Sequence, residues 1–471
     1  MTSREHAEEL VAKIPVLPAP RGNRLPVIIW RLGNIQGTDE ELAMLARELD
    51  RRGLATVTNW NYPGRDRNLP YALRYARILQ QEKLPVVVNS TSVMHRFFNG
   101  DESTAHVDAD GKPFFDLSQS PKVKIGCPFV AQARYPAIRE QVETFVRAYH
   151  DAGLPLDIVV ADWEIDGPMC WNEAWEHAKR CQRCRKHIPN IDDFQAFQKS
   201  YRAIRDETQR ECYAKVVLKH YPKALVGNYA EYPHNGWRYW YDYFEIDAKP
   251  PLPVRMDQRE PERPWCADFA AQGYTFAMPV AYTWYRTFDW YDFADPDYRW
   301  FYSMLKVATN AGKSAPPDLP IITFVHWHTT APPKEPAQHV KQMSEEAYKE
   351  LLWHMLLRGH DGLAMWCMPD ETLKETQLVQ QVYAESLAYS EFIENGTPVC
   401  FDIPEQPGTI ISALRLRDRL LVRRTDLGEP TDAPAIHIDG KIIPVPSMPG
   451  RCQVLKTSHH EVTKSTKERQ E

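Results

Sequence analysis

The segment Leu156-Asp157-Ile158-Val159-Val160-Ala161-Asp162-Trp163-Glu164 ends an apolar, β-branched run with two carboxylates two residues apart. Side chains alternate along a strand, so Ile158, Val160, Asp162 and Glu164 share one face. Two acids so placed repel each other when both are ionised, and one should hold its proton near neutral pH. A protonated carboxyl at a strand end is what a general acid requires. The same pair could instead cap the strand and accept from loop amides or an arginine. Its place at the end of the fourth of eight such runs, with Trp163 between the acids, favours the catalytic reading. Asp157 begins the strand and Asp166 precedes Gly167-Pro168, so turn or strand-start roles suit both.

Other polar and aromatic residues recur at the ends of the remaining runs. Tyr229 and Tyr282 end the fifth and sixth, while Trp60 and Asn89 follow the second and third. Trp284 stands in a stretch dense in rings, Tyr282 to Tyr291, which suits stacking on sugar faces or packing between loops. His326-Trp327-His328 ends the seventh run, where two-carboxylate barrel enzymes usually hold a nucleophile. The sequence has no acid there, so His326 and His328 are expected to form hydrogen bonds in the cleft rather than bind metal.

Cys170, Cys181, Cys184 and His187 make a C-x10-C-x2-C-x2-H pattern after the acid-bearing run. These four could complete a closed tetrahedral zinc site of structural type, and a disulfide or free thiols are the alternatives. With all four positions filled by protein, such a zinc would not be catalytic. No cofactor is expected to be required for catalysis.

The elements that must position these groups read as strands alternating with helices. Apolar runs lie at 27–30, 55–59, 86–90, 158–164, 224–229, 276–282, 321–327 and 363–366, with helical periodicity at 39–52, 138–151, 192–221, 296–311 and 344–358. Thr38 and Ser344 stand at N-cap positions. This predicts an α/β chain folded as a (β/α)8 TIM barrel at 25–395. Arg31-Leu32-Gly33-Asn34 after the first run lacks the glycine-rich turn of a dinucleotide fold. Residues 1–24 read as an N-terminal extension, 396–456 as a small all-β domain of short strands divided by Pro, Gly and Asp, and 457–471 as a disordered polar tail.

The chain has 471 residues, with 57 Lys and Arg against 63 Asp and Glu, a formal charge of -6 that offers no basic field for nucleic acid. Its 14 Trp, 22 Tyr and 38 Pro suit aromatic-lined clefts and stiff loops, as in proteins that bind polysaccharide or oligosaccharide. No run is long and apolar enough for a membrane span, and the first 24 residues lack a secretory apolar core. Nine dispersed cysteines argue against a disulfide framework. These features suit a cytoplasmic protein as written, or an exported one whose signal has been removed. Oligomeric state is not legible.

Asp157-x-x-Val160-x-Asp162-Trp163-Glu164 resembles the acid-bearing strand of chitinase-type hydrolases with its second Asp replaced. Asp162-Trp163-Glu164 is also similar to the D-W-E of the hyaluronidases, glycoside hydrolase family 56. The segments 224–233, 277–282, 319–324 and 362–366 resemble later hyaluronidase strands in order and spacing. That resemblance implies retaining, substrate-assisted hydrolysis of a polysaccharide containing 2-acetamido sugars. It implies Glu164 as acid and base, Asp162 as stabiliser of the reacting amide, Tyr229 and Tyr282 as donors to it, and Trp366 as the pocket floor. The family's E-W-R-P continuation is Ile165-Asp166-Gly167-Pro168 here, and its disulfides have no counterpart. The alternatives are a barrel glycosidase acting on a non-acetamido glycan, with Asp166, Glu231 or Asp370 as second carboxylate, and a carbohydrate-binding barrel without catalysis.

Overall fold

The computed structural model describes residues 1–94, 100–118, 120–162, 174–229, 270–284, 288, 291, 293–330, 339–368, 370–428 and 434–457. Its strands in the first 365 residues are β1 (Val27–Ile29), β2 (Leu54–Ala55), β3 (Thr58–Asn61), β4 (Val87–Ser92), β5 (His106–Val107), β6 (Pro113–Phe114), β7 (Ile158–Ala161), β8 (Leu225–Asn228), β9 (Val280–Trp284), β10 (Ile322–Thr330) and β11 (Gly362–Met365). Apart from the β5-β6 hairpin, every pairing among them is parallel.

One sheet runs β2-β1-β11-β10-β9 and another β3-β4-β7-β8. Only Thr56 and Val57 separate β2 from β3, so the two sheets continue as a series of eight strand positions in barrel order. The architecture is thus mixed α/β with parallel strands. At the remaining seam, β8 to β9, no ladder forms among the described residues. Single bonds cross just ahead of β9: Thr275 N–H donates to Val226 O at 2.9 Å, and Val226 N–H to Thr275 Oγ1 at 2.7 Å. A side chain on Gly227 would meet the Phe276 ring at 2.6 Å, so that ring occupies the space glycine leaves at the seam.

The closed (β/α)8 barrel expected from the sequence is therefore not formed by backbone pairing among the described residues, although side chains of the two sheets share one interior. Ile28, Val87, Ile158, Val160, Val280, Ile322, Phe324 and Ala364 form one buried cluster drawn from both sheets. Val159 and Ala161 pack instead with the helices outside, which gives β7 its two faces. Outside β7, the Tyr213 hydroxyl donates to Val159 O at 3.1 Å and accepts from Ser90 Oγ at 2.8 Å, tying β4 to β7.

Helix Asp39–Asp50 starts in a capping box, with Thr38 Oγ1 accepting from Glu41 N–H and the Glu41 side chain accepting from Thr38 N–H. Ser344 Oγ accepts from Ala347 N–H at 3.2 Å at the start of Glu345–Leu356. The N-terminal stretch contains helix Ser3–Lys13, whose Arg4 pairs with Glu41 at 2.9 Å. Helix Arg65–Gln81, with Pro70 inside it, buries Ala72, Tyr75, Ala76 and Leu79 at helical spacing, in a stretch outside those expected to be helical.

Beyond the barrel, β12 (Thr397–Pro398), β13 (Thr409–Leu416), β14 (Arg419–Asp426), β15 (Ala435–Ile438), β16 (Lys441–Pro444) and β17 (Cys452–Lys456) are all antiparallel. They form a four-stranded sheet and a hairpin around their own core, which includes Leu420, Val422 and Ile436. Arg358, fully buried, joins this unit to the barrel helices: its Nε donates to Ser412 Oγ at 2.8 Å, and its terminal nitrogens donate to Phe401 O at 2.9 Å and Asp402 O at 3.0 Å. Among the described residues, no helix is long and apolar enough to cross a membrane.

Candidate active site at the strand ends

Because Ile158 and Val160 face the interior, Asp162 on the same face stands at the C-terminal mouth of the parallel strands. Its backbone N–H donates to Thr91 Oγ1 at 2.7 Å. Thr91 Oγ1 in turn donates to Asn89 Oδ1 at 2.6 Å, and Asn89 Nδ2 donates to Asn59 Oδ1 at 2.9 Å. The relay runs across the ends of β3, β4 and β7 and fixes the register of the three side chains. Burial pushes the Asp162 carboxyl up to about 6, and the nearby Arg31 guanidinium opposes that rise. A carboxyl with that value exchanges a proton in mildly acidic to neutral solution.

Aromatic rings line the other side. Phe324, buried at the centre, receives Trp30 from the end of β1 at 5.2 Å, Tyr229 from the end of β8 at 5.8 Å and Tyr282 from β9 at 5.6 Å between centroids. Tyr282 lies 6.2 Å from Tyr229 and 5.9 Å from Trp366. The Arg31 guanidinium lies 5.0 Å over the Trp366 ring, and His326 meets the same ring edge-on at 4.9 Å. Asp162, Tyr229, Tyr282, Trp366, Asn89 and His326 thus come together around one mouth.

The end of β10 differs from its sequence expectation. A carboxylate does reach it, from helix Thr372–Ser386: Glu375 Oε2 lies 3.3 Å from His326 Nδ1. Its other oxygen accepts from Trp327 N–H at 2.9 Å and from the Tyr348 hydroxyl at 3.0 Å. With both oxygens engaged and the side chain fully buried, Glu375 orients His326 instead of facing the mouth. His328 Nε2 lies 3.0 Å from Glu371 O at the rim.

Trp60 is a correction. It is 1% exposed and stacks on Phe145 at 5.1 Å, against the helix Tyr135–Asp151 outside the sheet. Alternation along β3 sends Asn59 to the mouth and Trp60 away from it. Trp284 ends β9 with its backbone paired to Thr330, and its side chain lies outside the described residues. Glu164, Asp166, Cys170 and Glu231 also lie outside them, while Asp370 is exposed.

The cysteine pattern is rearranged as well. Cys181 and Cys184 are buried, but His187 is exposed, with its ring stacked on Phe129 at 4.4 Å, and does not join them. His106 and Cys127 do, from a segment whose sequence carries no recognisable spacing to the pair. Arg31, Asn59, Thr91 and Glu375 are also site residues that sequence reading missed. For Arg31 and Thr91 the available signal was position at a strand end. For Glu375 there was none, since an acid inside a helix reads as a solvated one.

No family profile matches the chain, and no curated protein matches it. Solved structures that it resembles include an α-L-fucosidase isoenzyme of Paenibacillus thiaminolyticus, at 12% identity and TM-score 0.46, over 80% of this chain and 51% of that one. A GH36 α-galactosidase of Geobacillus stearothermophilus matches at 12% identity and TM-score 0.48, over 96% of this chain and 57% of that one. An α-galactosidase of Lactobacillus brevis gives 11% and 0.45, over 97% and 58%. The chain therefore spans between half and three-fifths of these proteins. At such identities likeness transfers neither a substrate nor a catalytic residue. The hyaluronidase resemblance is overturned: these structural neighbours are α-galactosidases and an α-fucosidase, and no hyaluronidase profile matches. Tyrosines and a tryptophan at strand ends are features that any aromatic mouth of parallel strands can share, and the comparisons give an acetamido substrate no support.

Proposed function

We propose that the protein is a glycoside hydrolase acting on a glycan without a 2-acetamido group, with Asp162 as the proton-transfer residue. The observation that carries this reading is the Asp162 carboxyl, raised to about 6 by burial at the mouth of parallel strands, where the Arg31 guanidinium that acts on it also lies over the Trp366 ring. Protonated Asp162 donates to the glycosidic oxygen as the C–O bond breaks, and the leaving sugar departs as a neutral alcohol. The resulting carboxylate then takes a proton from the attacking water. Without an acetamido oxygen in the substrate, a second enzyme carboxylate must face the anomeric carbon. Asp166, Glu231 and Asp370 are the candidates from the sequence, and Glu164 joins them when Asp162 takes the proton-transfer role. The rings of Trp366 and Tyr282 offer apolar faces for a sugar, and Asn59 and Asn89, both only partly buried, offer polar atoms for its hydroxyls.

A panel of polysaccharides and oligosaccharides with and without acetamido groups, raffinose and stachyose among them, scored for new reducing ends, tests the substrate class. A fluorosugar of the cleaved type, followed by peptide mass spectrometry, identifies a nucleophile. Cleavage confined to acetamido glycans would defeat the proposal, as would a glycosyl adduct on Asp162 itself.

A further inference from the structure

We propose that His106, Cys127, Cys181 and Cys184 form a structural zinc(II) site. The three sulfurs and one ring nitrogen lie within 4.8 Å of one another, and all four residues are buried. Cys127 Sγ is 3.7 Å from Cys184 Sγ, and Cys184 Sγ is 3.8 Å from His106 Nδ1. The edge of a tetrahedron with metal–sulfur bonds of about 2.3 Å is roughly 3.8 Å, whereas a disulfide needs about 2.05 Å. Thiols at this spacing are held apart as ligands are.

The local structure supplies the site from two places. Cys181 is the N-cap of helix Gln182–His187 and Cys184 lies one turn inside it, so both sulfurs project on one face. Cys127 immediately precedes the turn Pro128–Arg134, and His106 stands in β5 with its ring stacked on Phe114 at 5.1 Å. Val107 N–H points to Cys181 Sγ at 3.5 Å, the amide contact that steadies a metal-bound thiolate. Three thiolates and one imidazole are a soft donor set suited to zinc, and with four protein ligands no position is left for substrate. A second group, His326, Cys367 and Glu375, is also compact, but it brings only three donors together, and Glu375 Oε1 already accepts from Trp327 N–H and the Tyr348 hydroxyl.

The metal would join the excursions that leave the C-terminal ends of adjacent strands β4 and β7. The second of these begins at Asp162, so the site would brace the loop wall beside the mouth. This inference does not depend on the glycosidase reading.

Whole protein purified without chelator is expected to carry about one zinc per chain by elemental analysis, and mercurial titration of its thiols should release it. Replacing the zinc with cobalt(II) should give the intense visible bands and thiolate charge-transfer absorption of a tetrahedral Cys3His centre. His106→Ala and Cys127→Ser should lower the bound metal at least tenfold, while His187→Ala and Cys170→Ser should retain it. Should Cys127→Ser fail to fold, the cobalt spectrum and mercurial release of the unaltered chain decide. Protein isolated free of metal that takes up no cobalt would overturn the inference, and so would a Cys127–Cys184 disulfide or metal loss in His187→Ala but not in His106→Ala.

Discussion

Glu375 and His326 form a buried pair at the end of β10, with Oε2 3.3 Å from Nδ1 and at most 1% of either side chain exposed. The carboxylate belongs to the helix that follows the next strand, so it reaches back across one βα unit. The contact of Oε2 with Nδ1 holds the imidazole that borders Trp366 in one orientation.

Replacing Glu375 by Gln keeps the shape but puts a donor where at least one of His326, Trp327 N–H and Tyr348 needs an acceptor. Denaturant unfolding of Glu375→Gln should show a loss of about 1–3 kcal/mol, the scale of an unsatisfied buried group. A midpoint equal to that of the unaltered protein would mean that the pair does not order the strand end.

Arg31 sets the value of Asp162 from the other side. Its charge lowers a carboxyl that burial raises, so Arg31→Met should let the carboxyl rise further. Asp162 acts in its protonated form, so kcat/KM should fall as pH rises through about 6, and the variant's falling limb should lie at higher pH. A limb displaced to lower pH would contradict the assignment.

Asp162 also links stability to pH. Its folded value lies above its ordinary 3.8, so below pH 3.8 both states hold the proton. As pH rises from there to about 6 the unfolded chain releases it first, and the folded state loses stability relative to the unfolded one. Asp162→Asn should therefore be more stable than the unaltered protein at pH 7 and nearly equal to it at pH 3.5, as denaturant midpoints at the two values will show.

Arg358 binds barrel to β domain through Ser412 and two backbone carbonyls. Arg358→Ala removes all three donations, although Ser412 Oγ keeps its contact with His354 Nδ1, and should cost roughly 1–3 kcal/mol. The Asp162 pH limb should be unchanged in any protein that remains folded. A small calorimetric effect, under about 1 kcal/mol, would show that the two units hold together by other contacts.

Local pattern carries the eight strand positions because period and β-branched composition survive in short runs, as at 158–161 and 321–327. It also places Asp162, Tyr229, Tyr282 and Trp366 at strand ends. It misplaces Trp60 because β3 is only four residues long, too short for its sequence to set which of Asn59 and Trp60 faces the mouth. Helix Arg65–Gln81 goes unread although Ala72, Tyr75, Ala76 and Leu79 carry helical spacing, because Pro70 stands where a helix interior is not expected. The cysteine group is half legible for a different reason. Cys181 and Cys184 declare themselves by spacing, but His106 and Cys127 arrive through tertiary folding of a distant segment, and His187 only has the right spacing. Glu375 is the same kind of case, since its partners lie 27 to 49 residues away.

The most direct test of Asp162 as the proton-transfer residue is turnover by Asp162→Asn on the glycan that the unaltered protein cleaves. The variant should retain its fold and glycan binding and release reducing ends at least about a hundredfold more slowly, without a pH limb near 6. A folded Asp162→Asn protein that turns over at the unaltered rate with the same pH profile would contradict the account.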